Sequence, residues 1–265
     1  MNKIIKFFSR RSTWAIPYAV FLVLFVMLPL VLIGVYAFMD NDGSFTIANF
    51  VKFVEQPEAF NTFIYSVAVA IVTTFFTILL GYPAAYILSN KEFNRSKTMV
   101  LLFILPMWVN VLIRTLATVS LFDITGIPLG EGALLFGLTY DFLPFMIYPI
   151  YNTMMKIDKS LIEAAQDLGA NQMRVFLKVI LPLSIPGVVS GIMMVFLPTI
   201  STFAISELLT MNDIRLFGSI IQENIMLSDT MNYGAALSLL MLLIIGFTSV
   251  VSGSDDEQVS HGGII

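Results

Sequence analysis

The chain has 265 residues, 57% of them hydrophobic and 12% charged, with a formal net charge of -4. A soluble domain carries about 25% charged residues, so this composition excludes an ordinary water-soluble globule, and the lack of a basic field excludes a nucleic-acid partner. There is no cysteine, and the single histidine, His261, lies in the tail; disulfides, thiolate chemistry and a histidine-built metal site are thereby excluded.

Six stretches are long and apolar enough to span a bilayer, which takes about 20 residues as helix. They are Ala15–Phe38, Phe63–Leu88, Met99–Leu121, Ala133–Met154, Ile185–Ile205 and Tyr233–Val251. The expected fold is an all-α membrane protein with six transmembrane helices. A short N-terminal segment (1–14) precedes a membrane domain (15–251), and an acidic, Gly/Ser-containing tail (252–265) reads as disordered. The opening "MNKIIKFFSRR" resembles a signal peptide, but its apolar run is too long and no A-x-A site follows, so the first span reads as a retained helix. Basic residues set the topology. Lys3, Lys6, Arg10, Arg11, Lys91, Arg95, Lys97, Lys156, Lys159, Arg174 and Lys178 all fall on one side, which predicts both termini on the cytoplasmic side of the membrane. The opposite loops are acidic. That is either ordinary solvation or a surface that attracts cations.

Charge within a span is costly, and is either paired or functional. Arg114 lies about 22 Å into the third span and Asp141 about 12 Å in from the other side of the fourth, at 1.5 Å per residue. The two depths agree, so one reading is a buried ion pair that fastens two helices. The other makes Asp141 a ligand for an ammonium group, with Arg114 balancing its charge or gating access. Trp108, Tyr140 and Tyr148 place rings near these groups, and Asn110 adds an amide; each serves either packing or substrate contact. Glu207 lies at the mouth of the fifth span, either as a cation acceptor or as an interfacial residue. No metal site and no catalytic residue emerges.

The connection at about 156–184 is polar and amphipathic. Ser160 and Glu163 read as a capping box. Leu161, Ala164, Ala165 and Leu168 form one apolar face, Gly169 supplies a left-handed helix end, and Asn171 caps a second helix. Pro182 and Pro186 are expected to redirect the chain into the fifth span. Within that span Gly187 and Gly191 form a G-x-x-x-G step suited to close helix crossing. Taken alone, this module reads as an interfacial helix resting on lipid.

The pattern Glu163-Ala164-Ala165, then Gly169, then Val179-x-Leu181-Pro182 resembles the EAA motif of ABC importer permeases, with Val179 where the family usually has Ile. "LGYPAAYIL", "LPMWVNVLIR", "FLPFMIYPIY" and "KIDKSLIEAAQDLGA" are similar to the spermidine/putrescine (PotB-like) permeases. Two features depart from that pattern: "FDITGIPLGEG" is shorter than the usual loop, and no basic residues follow the last span. The resemblance implies that residues 156–184 form a coupling helix docking on a separate ATPase. Glu163, Ala164, Ala165, Gly169, Leu181 and Pro182 would be its coupling residues. It implies two ATPase subunits carrying ATP-Mg, a second and different permease chain, an extracytoplasmic binding protein, and a polyamine cargo. Such a polycation would be held by carboxylates and aromatic rings. Another small solute, a cation or an inorganic anion, is the alternative cargo.

The chain has no G-x-x-x-x-G-K-[ST], G-x-S-x-G or H-E-x-x-H. No phosphate-cradling loop, nucleophile elbow or zinc helix is therefore expected, and no cofactor bound by this chain. This argues against an intramembrane enzyme. An ion-driven secondary carrier is the remaining alternative class.

Overall fold

A computed structural model of the chain describes residues 16–90 and 98–261, with side-chain surroundings as far as 249. The expected N-terminal segment, Lys91, Arg95, Lys97 and the last four residues lie outside the described residues. Among the described residues the regular structure is helical, apart from one isolated bridge between Met39 and Phe45.

In chain order the helices are α1 (Ile16–Ala37), α2 (Ala48–Glu55), α3 (Pro57–Ser89), α4 (Thr98–Trp108), α5 (Val111–Thr125), α6 (Glu131–Met154), α7 (Lys159–Asp167), α8 (Gln172–Ser201), α9 (Ala204–Thr210), α10 (Phe217–Met226) and α11 (Met231–His261). Five of them, α1, α3, α6, α8 and α11 over Met231–Ser249, are long and apolar enough to cross a membrane. The bent pair α4 and α5 makes a sixth if it is one span.

Three expectations need correction. The third stretch is not one straight helix: α4 and α5 meet at 95°. Pro106 lacks an N–H and closes α4 in a 3-10 turn, Val109 and Asn110 are extended, and the Asn110 side chain starts the next helix. The fifth helix begins at Gln172, thirteen residues before the expected start, and ends at Ser201. Pro182 and Pro186 do not redirect the chain. A π-turn at Phe176–Ile180 precedes Pro182, and the helix runs on through both prolines. Finally, α11 continues through Gly253, Asp255 and Glu257 to His261, so the polar tail extends the helix as far as that residue. No proline interrupts it there.

The chain divides into two compact units. In the first, residues 16–57 with Ile221–Leu243, Ala37 packs with Ala235 and Ala236. The second, Glu58–Ile220 with residues 244–261, carries the main core around α6. Leu134, Leu138, Met146, Ile147 and Ile150 are buried there. Small residues let α8 approach α6: a Cβ on Gly187 would lie 2.6 Å from Thr153 Oγ1 and 2.9 Å from the Pro149 carbonyl, and one on Gly191 2.6 Å from Met146 Sδ. The expected small-residue step is therefore a real crossing. Tyr82 of α3 and Ser184 of α8 share a hydroxyl–hydroxyl hydrogen bond of 2.9 Å.

Candidate functional site

The α7–α8 module folds for local reasons. Asp158 caps α7 by accepting from the Ser160 N–H at 3.0 Å, which displaces the expected Ser160–Glu163 capping box. A carboxylate two residues before a free N–H is an equally good cap and begins the helix two residues sooner. The Ser160 N–H and then its hydroxyl hold the Asp158 carboxyl below the usual range. At the other end Gly169 adopts φ +81°, as its position required. Its N–H donates to Gln166 O, and the Ala170 N–H to Ala165 O. Asn171 accepts from the Arg174 N–H at 2.9 Å and starts α8, as expected.

The apolar residues of α7 divide into two faces. Ile162 and Ala165 pack on the core, together with Phe176 and Val179. Phe176 meets Tyr82 and Tyr86 of α3 edge-on, at 6.0 and 5.4 Å. Leu161 is 49% exposed and Leu168 90%, and Ala164 and Glu163 are also exposed. The module is thus anchored by one side and presents the other, apolar and acidic, uncovered. Leu181 is half-buried and Pro182 exposed, immediately after the π-turn.

The second constellation surrounds the α4–α5 break. A broken span presents the free carbonyls of one helix end beside the free N–H groups of the next. Asn110 Oδ1 accepts from the Leu112 N–H at 2.8 Å. Arg114 then falls in the first turn of α5, where its charge opposes the helix dipole. Asp141 of α6 offsets it. Arg114 Nε lies 3.4 Å from Asp141 Oδ1, with the two residues 7% and 1% exposed. Arg114 Nη2 donates to the Asp141 carbonyl at 3.3 Å, and the Thr115 hydroxyl donates to Asp141 Oδ2 at 3.0 Å. The two charges that share a depth in the sequence therefore meet in the fold.

A cavity of about 610 Å³ opens at the break. Trp108, Asn110 and Arg114 line it with Phe142, Ser201 and Thr202. Trp108 is 81% exposed and offers a whole ring face. Tyr140 lies beside the pair, with the Arg114 Cζ 5.9 Å from its ring centroid. Asp141, Tyr148 and Glu207 do not line this cavity. Glu207 is half-buried on the separate helix α9, not at the end of α8. The extended turn at Val109–Asn110 was missed from sequence; Pro106 followed four residues later by Asn110 is the signal that could have found it.

The family described as "Binding-protein-dependent transport system inner membrane component" matches residues 4–253 of the chain. The "Spermidine/putrescine transport system permease protein PotB" of Salmonella typhimurium is 32% identical over 253 residues, covering 87% of this chain and 88% of the relative. The protein of that name from Haemophilus influenzae is 32% identical over 270 residues, with 92% and 94% covered. Among solved structures, an inward-facing MetNI methionine ABC transporter matches with TM-score 0.60 at 19% identity, covering 75% of this chain and 94% of that one. A bacterial ABC transporter that imports the polysaccharide alginate matches with TM-score 0.62 at 13% identity, covering 96% and 99%. The two likenesses share the ABC permease fold.

Proposed function

The chain belongs to the family of binding-protein-dependent transport system inner membrane components, and from that premise we propose that it is the polyamine-translocating permease half of an ATP-driven importer. As a member of that family it is a transport subunit rather than an enzyme. The observation that carries the cargo assignment is the 32% identity, across 87% of the chain, to a spermidine/putrescine permease. ATP-Mg binds on separate ATPase subunits, two per complex. A second, different permease chain completes the pathway, and an extracytoplasmic binding protein delivers the cargo. Both chain termini and α7 face the cytoplasm.

In this reading α7 is the coupling helix. Its exposed residues Leu161, Ala164 and Leu168 enter a groove on the ATPase, and Glu163 adds a charged contact at their edge. Gly169 and Asn171 fix the angle between α7 and α8, so a push on α7 travels into a continuous helix that starts at Gln172. Because α8 crosses α6 at Gly187 and Gly191, the push reaches the helix that carries Asp141. The cavity at the α4–α5 break receives the cargo. Trp108 offers a cation–π face, worth about 0.5–2 kcal/mol, and Asp141, buried behind Arg114 rather than in the cavity wall, supplies the carboxylate. Tyr148 and Glu207 contribute elsewhere along the path.

A second cargo, a small anion, is favoured by one observation: Arg114 is the only charged side chain among those lining the cavity, and it stands at a helix N-terminus. The two readings separate in one experiment. The full complex, reconstituted in vesicles with its binding protein and internal ATP, is offered labelled spermidine, putrescine or sulfate. Saturable ATP-dependent uptake of the amines supports the proposal; uptake of sulfate alone overturns the cargo assignment.

A further inference from the structure

Asp141 is nearly inaccessible, and the cavity wall in front of it is formed by Arg114. A cation entering this cavity therefore meets a guanidinium first. The free N–H groups at the start of α5 add positive potential on the same side. As it stands, the cavity repels the cargo proposed above.

The two partners of the pair are not held alike. The carboxylate is the better placed: the residue sits within the continuous helix α6, and its Oδ2 shares the one Thr115 hydroxyl proton, at 3.0 Å, with the Val111 carbonyl at 2.9 Å. The guanidinium is held loosely. Its Nε approaches Oδ1 at 3.4 Å without a hydrogen bond, and Nε, Nη1 and Asp141 Oδ1 are all buried with no hydrogen-bond partner. Its one polar bond inside the protein, from Nη2 to the Asp141 carbonyl, is long at 3.3 Å. The guanidinium already lies 5.9 Å from the ring centroid of half-exposed Tyr140, at the outer limit of a cation–π contact, so that face can take more of it if it leaves Asp141. An ammonium group is smaller than a guanidinium and carries three donors that rotate freely. It can point one at Oδ1, which Arg114 leaves unmet.

We propose that the Arg114 guanidinium is a resident stand-in for the cargo's ammonium group at Asp141. In the resting state it neutralises the carboxylate and closes the cavity to cations. During transport one ammonium of the polyamine takes its place, and Arg114 withdraws towards Tyr140. Asp141 then has a cationic partner throughout, so no bare buried charge arises in the exchange. Small inorganic cations are rejected, because they lack a second ammonium to occupy the Trp108 face while the first displaces Arg114. This inference rests on the polyamine reading and adds a specificity device to it.

The test compares the parent complex with two variants in reconstituted vesicles, with ATP and binding protein present and labelled spermidine as the probe. The first variant is the neutral pair Arg114→Gln with Asp141→Asn. It removes both charges together and so avoids an unpaired one. It is expected to assemble with the parent's thermal transition and ATPase binding, yet to lose at least tenfold in spermidine uptake. The second is Arg114→Gln alone, which leaves Asp141 buried without a charged partner and should melt below the parent, so its uptake is measured on the fraction that assembles with the ATPase chains. With the stand-in removed, its KM for spermidine should fall at least threefold, and methylammonium should become an inhibitor. If the neutral pair carries spermidine with parental KM and rate, Arg114 and Asp141 are a structural fastener and the exchange is wrong. Failure of the parent itself to carry spermidine would instead overturn the cargo reading.

Discussion

Replacing Gly169 probes the coupling module through a single torsion angle. Its φ of +81° lies where L-residues are strained, while a Cβ placed there would meet no atom of the chain within 4 Å. The cost of a substitution within this chain is therefore torsional, not steric. An ordinary residue loses about 1–2 kcal/mol in the left-handed region, which shifts the balance between the correct turn and its alternatives roughly five- to thirtyfold. Asn tolerates this region better than other residues, and a β-branched residue tolerates it worst. ATP-driven uptake in reconstituted vesicles should therefore fall in the order parent, Gly169→Asn, Gly169→Ala, Gly169→Val. The valine variant should be close to inactive although present in the membrane at parental levels. Parental uptake by Gly169→Val would refute the coupling assignment. An asparagine variant as damaged as the valine one would refute the torsional argument, since bulk at the partner's surface would then be the cause.

Other expectations can be checked separately. Gly191→Val should overpack the α6–α8 crossing against Met146 and cost about 1–3 kcal/mol, read as a lower thermal transition in detergent. Asn110→Ala removes the cap of α5 and should cost about 1 kcal/mol by the same measurement. Asp141→Asn alone leaves Arg114 buried and unpaired, a loss of about 3–5 kcal/mol, so its melting should fall further than that of the neutral pair. Because the folded pKa of Asp158 is lowered, its capping contribution is complete above the ordinary carboxylate value and disappears only as pH falls through the depressed one. ATPase-chain binding should therefore hold from pH 8 to 5 and weaken below about pH 4, whereas Asp158→Asn, which caps without titrating, should remove that step.

The membrane helices were legible because hydropathy is a sum over many residues, and the C-terminal end of α1 and both ends of α6 fall within two residues of the sequence reading. The Arg114–Asp141 pair was legible for a different reason: two opposite charges at one depth in lipid have few alternatives to meeting. Gly169 and Asn171 were legible because left-handed backbone and helix caps each select few residue types. The break at Val109–Asn110 was not, since a window wide enough to find a span averages over a two-residue interruption. That the helix capped by Asn171 is continuous with the fifth span was hidden by Pro182 and Pro186, which read as breaks although the helix runs through both. That Arg114 screens Asp141 from the cavity was beyond sequence, because it depends on the 95° bend and not on either residue's depth.

The central claim is ATP-driven import of a polyamine. The most direct test is labelled spermidine uptake by the reconstituted complex, with ATP inside the vesicles, binding protein outside and the ion gradients collapsed. Saturable uptake that stops when ATP is withdrawn, and that unlabelled putrescine competes for, is the predicted result. Uptake that follows an ion gradient without ATP, or transport of an anion with no amine carried, would contradict the account.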